Sequence, residues 1–194
     1  MARLSIFPLL LLSSFLPMLA GAASPLVEAA KAQIGVTVIY DGAYQRLAYP
    51  GGDVGSERGV CTDVIVRAYR KLGVDLQKLV HEDMQAAWAA YPHSWGLPHP
   101  DPNIDHRRVP NLATFFARHG QALAVAGDRR AYRPGDIVTW RLASGVPHIG
   151  LVADLQAADG TPLVIHNIGA GAKMEDSLFA FPVTGHYRYP GPGR

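Results

Sequence analysis

The sequence predicts an α+β domain in which N-terminal helices pack on one face of a C-terminal antiparallel sheet. Three observations carry this. Val64, Ile65, Ala68, Tyr69 and Leu72 recur at helical spacing. The runs "DIVTW", "HIGLVAD" and "PLVIHNI" read as strands, the last two joined through Asp159-Gly160. The helices come first and the strands follow, which is the order of an α+β fold and not of alternating βα units. The 194 residues are enough for one domain with a real core. A composition with 48% hydrophobic and 18% charged residues is globular. The net charge of +2 is too small to indicate a nucleic-acid surface.

Taken in order, residues 1–22 have the layout of a secretory signal. Arg3 precedes an uncharged apolar stretch from Leu4 to Leu19, and the small residues Ala20, Gly21 and Ala22 follow. Pro8, Pro17 and the short apolar run argue against a membrane anchor. Residues 23–194 are then expected to form a single exported domain, periplasmic or secreted. Ser24-Pro25 opens a short helix that Gly35 stops. "VTVIY" reads as a short strand and "YPGGDVGSERG" as a glycine-rich loop. A helix starts at Cys61 and ends before Gly73, the C′ residue. An amphipathic stretch from Leu76 to Ala90 is stopped by Pro92, and a proline-punctuated loop leads to the helix "NLATFFARH". Pro134-Gly135 turns the chain into the strands, with "GHYRY" as a candidate fourth.

Cys61 is the one cysteine of the chain. In an exported protein paired cysteines form structural disulfides, so a lone thiol is either inert, bridged to another chain, or a nucleophile. A helix N-terminus favours the thiolate, and a neighbouring histidine completes the activation. Asp63, in the same first turn, works against it. Of the eight histidines, His81 is expected exposed on its helix, His93 and His99 lie in the loop, and His119 suits a helix C-terminus. His148 opens one strand and His166 closes the next. In an antiparallel pair these ends face each other, so one imidazole can face the thiol while the other holds its ring.

Three blocks resemble the NlpC-type papain-like cell-wall peptidases. They are "YPGGDVGSERGVCTDVIVRAYRKLGVDL", "YRPGDIVTWRLASGVPHIGLVAD" and "PLVIHNIGAG". With "PDPNIDHRRVPN" and "GHYRY", the chain resembles a bacterial exported family of unassigned function within that superfamily. The resemblance implies a papain-like core and a trio in which Cys61 is the nucleophile, His148 the base and His166 the orienter. Asn167 is the reserve orienter. Val60 before the cysteine, and Thr62-Asp63 after it, depart from the superfamily's usual Asp and Ser-Gly.

The expected chemistry is thiol-dependent hydrolysis of amides in the peptide part of peptidoglycan. Stem peptides carry carboxylates, so Arg107 and Arg108 are candidate grips; the structural alternative is salt bridges to Asp101 or Asp105. Tyr40, Tyr44 and Tyr49 precede the nucleophile, and Tyr49 lies where the superfamily has a substrate-side tyrosine. No cofactor is expected. Zinc on Cys61, His148 and His166 lacks H-x-x-x-H or C-x-x-C spacing, and "GAGAK" lacks the ending of a phosphate loop. The rival is a non-catalytic peptidoglycan-binding or scaffold module on the same fold.

Overall fold

A computed structural model describes residues 24–191. The secretory-signal reading of residues 1–22 lies outside the described residues. Among them are four α-helices: α1 (Pro25–Lys31), α2 (Cys61–Lys71), α3 (Leu76–Ala86) and α4 (Val109–His119). No helix is long and apolar enough to cross a membrane among the described residues.

The strands are β1 (Ile39–Tyr40), β2 (Arg58–Gly59), β3 (Gln121–Leu123), β4 (Ile137–Arg141), β5 (Pro147–Gln156), β6 (Pro162–His166), β7 (Lys173–Glu175) and β8 (Val183–Arg188). β1 and β2 form a small parallel pair beside the glycine-rich loop. The others form one antiparallel sheet in the order β3-β8-β4-β5-β6-β7. The predicted order of helices, then sheet, is thus the observed one.

Strand alternation decides what each face buries. Ile137, Ile149, Leu151, Ala153 and Ile165 face the helices and join Val64, Ile65, Ala68, Leu112 and Phe116 in the main core. Val138, Trp140, Val152 and Val164 face the other way and pack with Tyr132 and Leu178.

Several boundaries differ from expectation. α1 ends at Lys31 and turns carry the chain to Gly35. "VTVIY" yields only two strand residues, both exposed. α3 stops at Ala86, before a short 3-10 turn at Trp88–Ala90. The three-residue edge strands β3 and β7 were not expected. His81 is buried, not exposed: its Nδ1 lies 3.0 Å from Asp105 Oδ2, a partner that comes from the proline-rich loop.

Candidate active site

The site is assembled at the N-terminus of α2 and the open ends of β5 and β6. α2 begins at Cys61 because Val60 is extended and Asp63 closes a capping arrangement: its carboxylate accepts the Val60 N–H at 2.7 Å. Gly59, at φ +153°, brings the chain so close that an added Cβ would lie 2.9 Å from Asp63 Oδ2. Cys61 is 5% exposed. Burial pushes the thiol up to about 12, outweighing the backbone N–H groups of Ile149, Thr62 and Cys61 itself, which favour the thiolate.

Ile149, which packs in the core with Cys61, directly follows His148; alternation turns the His148 ring to the other side of the strand, against Trp140. Continuing the Leu151–Ile165 register places His166 opposite Gly150, which makes His148 and His166 diagonal neighbours on one face. No side chain stands between them: a Cβ on Gly150 would meet Val164 Cγ1 at 2.6 Å and the Trp140 ring at 3.1 Å. His148 Nε2 and His166 Nδ1 lie 2.8 Å apart. His166 Nε2 lies 3.1 Å from Glu175 Oε2 and 3.3 Å from Ser177 Oγ.

The tautomers follow from this chain. A carboxylate only accepts, so His166 carries its proton on Nε2 and its Nδ1 is the acceptor. His148 therefore donates from Nε2, and its Nδ1 keeps a lone pair. That nitrogen has no hydrogen bond and is not among the sealed unpartnered atoms of the described residues. Burial, and secondly the His166 charge, depress His148 to about 3. Burial also lowers His166, against the opposing pull of Glu175. The Cys61 thiol and the His148 ring are thus neutral near pH 7, and no hydrogen bond joins the sulfur to either ring among the described residues.

The remaining predicted residues separate. Asn167 points away from His148, and its Nδ2 donates to Gly59 O at 3.1 Å, fastening the end of β6 to the nucleophile loop. Arg107 is buried and pairs with neither Asp101 nor Asp105, nor is it free to grip a ligand. It forks onto Asp63 (Nε–Oδ1 3.0 Å, Nη2–Oδ2 3.0 Å) and donates to Ala43 O and Asp41 O. Its carbonyl accepts from Thr62 Oγ1 at 3.1 Å. Arg107 therefore braces the start of α2 and neutralises the carboxylate nearest the thiol. Arg108 instead stacks on Trp95, 4.2 Å from the ring centroid. Tyr49 packs edge-on against His81, at 5.3 Å. The tyrosine at the nucleophile is Tyr40, paired with Gly59 across β1–β2; its phenol is raised by burial first and by Cys61 next.

Sequence reading missed Glu175, because only the β6–β7 pairing brings it to His166. Among the described residues, no group of three or more His, Cys, Asp or Glu is arranged to hold a metal ion.

These features define a mixed helix-and-sheet domain with a buried cysteine and two buried histidines at one sheet end, the second histidine held by a half-exposed glutamate. Residues 27–189 match the family described as "Domain of unknown function (DUF1287)", and the chain belongs to that family. It is 58% identical over 164 residues to "Uncharacterized protein YijF" of Escherichia coli (strain K12), covering 84% of this chain and 80% of that protein. Among solved structures it is similar to NlpC1 from Trichomonas vaginalis, at 18% identity and a TM-score of 0.45, over 89% of this chain and 46% of that one.

Proposed function

We propose that this protein is an exported thiol-dependent amidase or peptidase, built on a papain-like NlpC-type core, that acts on the peptide moiety of bacterial peptidoglycan. The observation that carries the reading is the Glu175–His166–His148 hydrogen-bond chain, which leaves Nδ1 of His148 as an unpartnered base next in sequence to Ile149, whose N–H favours the Cys61 thiolate.

His148 Nδ1 takes the thiol proton as Cys61 Sγ bonds to the substrate carbonyl carbon. In this reading the backbone N–H groups at the start of α2 stabilise the oxyanion. His148 then gives its proton to the leaving amine nitrogen, the C–N bond breaks, and a thioester remains. Water loses a proton to His148, attacks the thioester carbon, and the sulfur leaves and is reprotonated. His166, held by Glu175, accepts from His148 Nε2 and so keeps the ring in the required tautomer, the role of an orienting residue in a triad. Because both partners start neutral, proton transfer accompanies attack and no imidazolium–thiolate pair is stored beforehand.

One observation favours a second reading. A thiol held near 12 by burial also suits a non-catalytic peptidoglycan-binding module. Digestion of purified muropeptides, read by mass spectrometry, separates the two. The enzyme reading expects new fragments from the wild type and none from Cys61→Ala. Activity surviving in that variant overturns the nucleophile assignment, and intact muropeptides that still bind support the module.

A further inference from the structure

Among the described residues Arg108 is a cation with no ion-pair partner, although Asp105 and Asp101 act on it at longer range. Its two nearest acids are engaged elsewhere. Asp101 accepts from Tyr44 Oη at 2.9 Å and from Asn103 N and Nδ2 at 2.9 and 2.7 Å. Asp105 Oδ2 is held by His81 at 3.0 Å. Among the described residues the Arg108 guanidinium makes no hydrogen bond and no ion pair; its one partner is the Trp95 ring beneath it, which is 40% exposed. Partial burial lowers its pKa, and Asp105 and Asp101 offset only part of that.

The Trp95 ring holds the guanidinium carbon 4.2 Å from its centroid, and N–H groups without a hydrogen-bond partner among the described residues can receive a planar carboxylate through two parallel bonds. The neighbouring Arg107 carbonyl is bonded to Thr62, so this platform is rooted beside the nucleophile. We propose that Arg108 and Trp95 form a carboxylate-binding subsite, and that the peptide this protein takes carries a free carboxylate there. The inference rests on the proposed function for the peptide class but not on turnover.

Its test is binding to the full exported domain carrying Cys61→Ala, followed by Trp fluorescence and calorimetry. The probes are a stem tripeptide with free carboxylates and its fully amidated counterpart. The free acid binds about ten- to hundredfold more tightly, the range for a charge-assisted contact. Arg108→Gln abolishes that preference, Arg108→Lys restores part of it, and Trp95→Phe removes the fluorescence change. Equal affinity for the two probes, binding of neither, or a preference that persists in Arg108→Gln overturns the proposal. A preference found together with a wild type that cleaves nothing keeps the subsite and removes the hydrolase.

Discussion

Arg107→Gln is the most informative single change outside the thiol and its imidazoles. The pair it breaks is sealed, with the Arg107 and Asp63 side chains 2% and 5% exposed. Five donations are lost besides the charge: three to the Asp63 carboxylate, and one each to Ala43 O and Asp41 O. Removing one partner of such a pair costs about 3–5 kcal/mol, chiefly because the other charge stays buried. For a chain of this size that is a fall in Tm of about 6–20 °C. Adding Asp63→Asn removes the stranded charge and keeps an oxygen for the Val60 N–H. The double variant should therefore be more stable than the two single effects predict, by about 1.5 kcal/mol or more. Urea unfolding of the four proteins measures this coupling. The same set read by iodoacetamide against pH should show the Cys61 midpoint rising in Arg107→Gln and returning in the double variant, since a bare Asp63 raises the thiol. Additivity within about 0.5 kcal/mol, with an unmoved alkylation midpoint, refutes the assignment of Arg107 to the nucleophile helix.

Three further outcomes are expected. His148 is held neutral to about 3, below its unfolded value near 6.5, so its contribution to stability is full above pH 6.5 and is lost as pH falls toward 3. His148→Gln should flatten the acid limb of a stability–pH curve by up to about 1.4 kcal/mol per pH unit; an unchanged slope contradicts the buried neutral ring. Glu175→Ala should lower turnover by about tenfold or more while Glu175→Gln, which keeps an acceptor, loses less, and equal loss in both would show that the tautomer argument is wrong. Free Cys61 should alkylate slowly at neutral pH and at the ordinary cysteine rate in urea; fast labelling of the folded protein at pH 6 would mean that a thiolate is stored.

How much of this was legible in the sequence depended on range. Periodicity exposed α2 and strands β4 to β6, whose interiors alternate or repeat over many residues. It could not expose β3 and β7, which are three residues long and defined only by their neighbours. The two histidines were readable as cross-strand partners because each occupies the end of a clear strand. Glu175 was not, since it reaches His166 through a strand with no pattern of its own. The arginines show the limit most plainly. Adjacent in sequence and identical in type, Arg107 turns inward to Asp63, 44 positions away, while Arg108 turns outward onto Trp95. His81 was misjudged for the same reason: its acid arrives from a loop 24 positions on.

In the proposed mechanism a buried, neutral Cys61 becomes a nucleophile only when a peptide is bound and His148 Nδ1 receives the proton. A stem peptide bearing a thiol-reactive group in place of the scissile amide tests it, with the modified residue identified by mass spectrometry. Stoichiometric labelling of Cys61 at neutral pH is expected, far faster than by iodoacetamide and lost in His148→Ala. Labelling no faster than by iodoacetamide, or labelling indifferent to His148, contradicts it.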